Sequence, residues 1–127
     1  MITSQVVSQT RTKLKVVGRT IRHEYLCIPT KEGKRIIHYS EIMFLKSDSN
    51  YTEIYLTDGK KYCVCRTIKS LEEQIPVSEF IRVHRSLLVA VKHIKYIHNS
   101  DSSIELRSGK RLPISRSGKN KLSLFFE

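Results

Sequence analysis

The residues of this chain that could do chemistry are mostly basic, and they cluster. The stretch Phe80–Val89, FIRVHRSLLV, carries Arg82, His84, Arg85 and Ser86 between apolar residues. Lys92, His93 and Lys95 follow, Lys110 and Arg111 enter a later segment, and Ser115, Arg116, Ser117, Lys119 and Lys121 leave it. Arg and Lys neutralise phosphates, Ser and backbone N–H groups add short hydrogen bonds, and an Arg fork also matches the O6 and N7 of guanine. A solvated face accounts for any single Lys; the set together points to a nucleic acid. The loop DSNYT adds Ser49, Asn50, Tyr51 and Thr52, which have the hydrogen-bonding chemistry of base-edge readers, although by composition alone it is a turn.

Enzyme chemistry finds little purchase. No Gly-rich phosphate loop, HExxH, GxSxG or CxxC pattern occurs. Five His are scattered without a second metal ligand at coordinating spacing, and His93 and His98, five apart on one strand, face opposite ways. Glu72 and Glu73 fall on the exposed side of a short helix and read as solvation. Cys27, Cys63 and Cys65 form an odd set with C-V-C spacing in apolar runs, which reads as small core residues rather than a disulfide framework or zinc site. The expectation is a chain with no catalytic residue, no metal and no cofactor.

Charge narrows the partner. The formal net charge is +11 over 127 residues, and it is uneven. Counted along the sequence, residues 1–35 carry net +6, residues 36–79 net −2 and residues 80–127 net +7. Basic segments thus flank a near-neutral middle, as expected if the middle builds a scaffold and the flanks meet a polyanion. At 39% apolar and 28% charged residues the chain reads as one globular domain. No apolar run approaches the ~18 residues of a membrane helix. The N-terminus has no apolar signal-peptide core, so a cytoplasmic protein without membrane insertion is expected.

The elements that must position these residues are mostly strands. Residues 1–23 lack sustained periodicity and read as a basic arm or linker; 24–127 read as the domain. EYLCIP and RIIHY form a hairpin across TKEGK, EIMFLKS and TEIYLT flank the DSNY loop, and Asp58-Gly59 turns the chain into KYCVCR. Ile68, Leu71 and Ile75 then recur at helical spacing, with Thr67 as N-cap and Pro76 as stop. In FIRVHRSLLV the apolar face Ile81, Val83, Leu87, Val89 is broken at Arg85, so the chain bends at His84–Ser86 and turns that cluster outward. HIKYIHN, SIELRS and KRLPIS follow as strands, the last two across Ser108-Gly109. The tail reads as a short helix docking Leu122, Phe125 and Phe126, weakened by Gly118. The fold class is mainly β: about ten short antiparallel strands in small packed sheets with one or two short helices.

In order, EIMFLKSDSNYTEIYLTDGKKY, the helix TIKSLEEQI, FIRVHRSLLVAVKHIKYI and IELRSGKRLPISRSGK resemble a LytTR-type DNA-binding domain. The resemblance runs from about Glu24 to Asn120, and the F-I-R-V-H-R-S-x-L-V and L-P-I-S-R stretches are its most specific parts. It implies a bacterial transcription regulator that binds duplex DNA through loops rather than a recognition helix. Such domains contact two successive major grooves and the minor groove between, at paired direct repeats in promoters, so a dimer on DNA is expected. Carried over by position, the first loop brings Ser49, Asn50, Tyr51 and Thr52, with Thr52 near the base-reading place. The second brings His84, Arg85 and Ser86, with Arg85 reading bases. The third brings Ser115, Arg116 and Ser117, with Lys119 on phosphate.

The sequence departs from the family pattern in three ways. Ala90 stands where the family usually has Asn, and Lys46 where it usually has Glu. Residues 1–23 are too short for the phosphorylated receiver domain to which many members are attached. The expectation is therefore a stand-alone regulator, or one controlled by a further protein partner, which in some stand-alone members is a membrane-bound inhibitor. An RNA-binding or ribosome-associated basic β-domain is the alternative, although Tyr51 alone among the aromatics lies in a loop beside basic residues.

Overall fold

A computed structural model describes residues 14–17 and 20–127. Among the described residues, twelve strands and two α-helices follow one another in chain order. β1 (Leu14–Val17) and β2 (Thr20–His23) pair as a separate hairpin. This hairpin lies in the segment expected as an arm, and residues 1–13 lie outside the described residues. β3 (Tyr25–Thr30) and β4 (Gly33–His38) form the second hairpin. A five-stranded antiparallel sheet has the order β7-β6-β5-β9-β8. It comprises β5 (Ile42–Asp48), β6 (Tyr51–Leu56), β7 (Lys61–Val64), β8 (Phe80–His84) and β9 (Leu87–Ala90). The helix α1 (Ile68–Glu72) connects β7 to β8. β10 (Ile94–His98), β11 (Ser103–Leu106) and β12 (Arg111–Pro113) make a three-stranded sheet, and α2 (Arg116–Phe125) ends the chain. The mainly β class with two short helices is as expected; β1 and β2 raise the strand count above ten.

The five-stranded sheet is buried on both faces, which explains its near-continuous apolar runs. One face packs Leu45, Ile54, Leu56, Leu88 and Ala90 against Leu26 and Ile37 of the β3–β4 hairpin and Ile68 and Leu71 of α1. The other packs Phe44, Val83, Leu87 and Val89 against Ile104, Leu106 and Leu112 of the three-stranded sheet and Leu122 of α2. Alternate residues of β9 therefore belong to opposite cores, and all four are buried. In β5, Ile42 and Leu45 share a face although they are three apart, because the pairing with β6 shifts register between Ile42 and Phe44. Each fully buried Leu or Ile contributes about 1.5–3 kcal/mol relative to exposure.

Both helices start at the side-chain caps their sequences offer. The Thr67 hydroxyl accepts the Ser70 N–H at 3.1 Å, and the Ser115 hydroxyl accepts the Gly118 N–H at 3.0 Å. Gly118 does not weaken α2 in the way its propensity implies. A Cβ there would lie 1.9 Å from the Val83 carbonyl oxygen, so glycine is what lets α2 lie against β8. Leu122 docks as expected, at 1% exposure, but Phe125 and Phe126 are 42% and 48% exposed. The helix buries the face carrying Gly118 and Leu122, and the terminal aromatics fall past the edge of the core.

Candidate nucleic-acid interface

The sheet topology decides where the predicted loops go. β5 ends at Asp48 and β6 begins at Tyr51, which pairs with it, so Ser49 and Asn50 form a two-residue turn. β8 and β9 are joined likewise by Arg85 and Ser86. β9 lies beside β5 with Lys46 opposite Leu87, so both turns emerge at the same end of the sheet. The Ser47 N–H donates to the Ser86 carbonyl at 2.9 Å and ties them together. The third loop joins them from the other sheet: the Ser115 N–H donates to the Val83 carbonyl at 2.9 Å, and its hydroxyl to the same oxygen at 3.3 Å. Loops separated by tens of residues are thus locked within two residues of one another by backbone hydrogen bonds.

Of the residues expected at the interface, Ser49, Asn50, Arg85, Arg116 and Ser117 are exposed at this end. Tyr51, His84, Ser86, Ser115 and Lys119 are half-buried. The His84 Nδ1 accepts the Ser86 N–H at 3.2 Å and lies 2.9 Å from the Ser86 hydroxyl. The Tyr51 hydroxyl is held above its ordinary pKa, chiefly by its hydrogen bond with the Cys65 thiol. Arg85, the residue that interrupts the apolar alternation, sits in the turn, and the core strand is unbroken up to Val83.

Thr52 stands apart. It is fully buried, and its hydroxyl donates to the Arg66 carbonyl at 2.6 Å. The expectation that Thr52 reads bases does not fit this placement: it holds the first loop from below. The signal was available, since in β6 Thr52 shares a face with Ile54 and Leu56. Ala90, which stands where the family usually has Asn, is 2% exposed and pairs with Phe80, away from the turn.

Not every basic residue is brought to this end. Lys92 and His93 form a 3-10 turn after β9, at the opposite end of that strand from Arg85. The Arg107 guanidinium reaches the Lys92 carbonyl there at 3.0 Å. Burial first, then the Lys92 and Arg107 charges, push the His93 pKa down. Arg111 pairs with Asp101 at 2.7 Å. Sequence reasoning missed Arg66, which follows β7 at the loop end and donates to the Ser70 hydroxyl at 3.0 Å; burial lowers its pKa. It also took Glu72 for a solvating charge, whereas Glu72 accepts from Arg82 at 2.6 Å. Among the described residues no cluster of three or more His, Cys, Asp or Glu could hold a metal, and no helix is long and apolar enough to cross a membrane.

Comparisons with known proteins agree on one family. The model of the LytTr DNA-binding domain matches residues 32–127. The sensory transduction protein LytT of Bacillus subtilis (strain 168) is 29% identical over 123 residues, covering 87% of this chain and 50% of that protein. The CO-responsive transcriptional regulator RcoM of Rhodospirillum rubrum is 24% identical over 95 residues, 72% of this chain and 40% of that protein. The chain spans about half the length of the curated relatives it matches. A solved LytTr DNA-binding domain of a methyl-accepting/DNA response regulator from Bacillus cereus superposes with a TM-score of 0.70 at 25% identity, covering 80% of this chain and 95% of that one.

Proposed function

Since the chain belongs to the LytTr DNA-binding domain family, we propose that it regulates transcription by binding duplex DNA sequence-specifically through the end of the sheet where its three loops meet. The observation that carries this reading is the pair of backbone bonds, Ser47 to Ser86 and Ser115 to Val83, that tie the β5–β6 turn, the β8–β9 turn and the segment entering α2 to one end of the sheet. A rigid arrangement of exposed Arg, Asn and Ser side chains suits base edges, and Lys119 and the Ser115 cap suit phosphates. Asn50 and Arg85 lie on turns, whereas Arg116, Ser117 and Lys119 lie in the first turn of α2 behind its Ser115 cap, so in this reading the two turns and the start of that helix meet the duplex together. Two copies on adjacent direct repeats, and control by a further protein, belong to the same reading.

The test is binding of the purified chain to its own promoter region and to scrambled duplex of equal length, across a salt series. The expected result is a protected pair of spaced repeats, with preference persisting at moderate salt while overall affinity falls steeply. Equal binding to both duplexes that salt erases would leave only a basic surface. Better competition by single-stranded RNA than by duplex DNA would favour an RNA-binding domain instead.

A further inference from the structure

Arg82 was grouped with the DNA-facing residues by its charge, yet its side chain is already engaged. Nη1 donates to Oε1 of Glu72 at 2.6 Å, Nε donates to the His84 carbonyl at 3.1 Å, and Nη2 donates to the Arg85 carbonyl. All three guanidinium nitrogens are used, and the charge is paired. Glu72 belongs to α1, which packs on the opposite face of the sheet from α2. The pair therefore joins one half of the protein to the turn that carries Arg85.

That turn needs such a tie. The β8–β9 pairing shifts register between Arg82 and His84, so the ladder is interrupted just before the turn. Neither Arg85 nor Ser86 is a glycine, and the Arg82 guanidinium donates to the carbonyls of both His84 and Arg85. We propose that Arg82, held by Glu72, is a positioning residue that sets base preference by fixing the Arg85 turn and does not itself contact DNA. This rests on the reading of the turn as a base reader. A bidentate Arg–guanine contact depends on the placement of its side chain to within about 0.5 Å. A Lys at position 82 would keep the charge but could not serve three acceptors in one plane.

The test uses the full chain and two duplexes: one selected by the wild-type protein from a random-sequence pool, and its scrambled counterpart. The affinity ratio and the salt slope are measured for wild type, Glu72→Ala, Arg82→Lys, Arg82→Ala and Glu72→Gln, with thermal midpoint and amide exchange at Arg85 and Ser86 in the free protein. Glu72→Ala and Arg82→Lys should each lower the ratio about tenfold, the scale of one lost charge-assisted hydrogen bond, with faster exchange at the two amides. Their salt slopes and midpoints should stay near wild type, and Glu72→Gln, which keeps an acceptor, should retain most of the ratio. Removing a carboxylate close to DNA tightens binding by charge alone, so a lower ratio in Glu72→Ala separates positioning from charge. Unchanged ratios in Glu72→Ala and Arg82→Lys would overturn the proposal, as would an Arg82→Lys variant that keeps the ratio while Arg82→Ala loses salt slope, the mark of a phosphate contact. If wild type itself bound both duplexes alike, the DNA-reading function would fail first. If wild type discriminates and only the position-72 and position-82 variants show no effect, the positioning role alone fails.

Discussion

Two kinds of hairpin turn occur at opposite ends of this protein, and they are built on different principles. The turns at Asp58-Gly59 and Ser108-Gly109 close on themselves. In each, the glycine N–H returns to the carbonyl three residues earlier, Leu56 at 3.1 Å and Leu106 at 2.8 Å, and the glycine takes a positive φ of 91° or 96°. The Asp58 carboxylate caps its own turn by accepting the Lys60 N–H at 2.9 Å. The turns at Ser49-Asn50 and Arg85-Ser86 contain no glycine, and Ser49 takes a φ of 56° without one. Their shape comes from side chains beside the turn and from neighbouring segments: His84 accepting the Ser86 N–H, Arg82 donating to two carbonyls, Ser47 on Ser86 and Ser115 on Val83. A turn made of glycine is locally sufficient and chemically blank. A turn that must display side chains gives up glycine and takes its geometry from tertiary contacts.

That contrast can be broken at graded cost. The largest effect is expected from Gly118→Ala, because the added Cβ meets the Val83 backbone rather than a flexible side chain. Overpacking of this kind costs about 1–3 kcal/mol or more, and a fall in thermal midpoint with loss of the third loop's docking would show it. Arg85→Ala comes next: it should cost about 1–3 kcal/mol of binding to the preferred duplex and relax preference at one position, with stability unchanged. Unaltered affinity and preference in a titration would remove Arg85 from the interface. Gly59→Ala has open space for its Cβ but keeps the positive φ, so about 1–2 kcal/mol of stability should go, by denaturant melt, with sequence preference intact. The smallest change belongs to Lys119→Ala. It should weaken all sequences alike and reduce the salt slope by about 1, which a log–log plot of affinity against salt reads directly.

Much of this architecture was legible in the amino-acid order, because strands with one buried face alternate and turns carry marked residues. The hairpin at Asp58-Gly59, the cap at Thr67 and the bend at Arg85 fell where period and turn chemistry place them. What escaped depended on neighbours distant in sequence. Gly118 reads as a helix weakener until β8 is laid against it. Glu72 reads as solvation until Arg82, ten residues on, reaches it. Thr52 shows the opposite case: the resemblance implied an outward, base-reading place near it, whereas its alternation with Ile54 and Leu56 marks it as inward-facing, and it is buried. Phe125 and Phe126 fit an apolar helix face by type, yet α2 turns only the Gly118–Leu122 side to the sheet.

The alternation of β9 has a consequence for how this protein comes apart. Leu88 and Ala90 belong to one core, Leu87 and Val89 to the other. A chain with two hydrophobic cores would ordinarily offer two melting units, each able to open while the other persists. Here β5, β8 and β9 each send residues into both cores, so the sheet is their common wall and stripping either core exposes the reverse side of the other. Thermal or denaturant unfolding should then be one cooperative step, with loss of β-sheet signal and of tertiary aromatic signal coinciding. Arg85 and Ser86 are attached directly to that wall, so the exposed chemistry of their turn should persist until the whole sheet gives way.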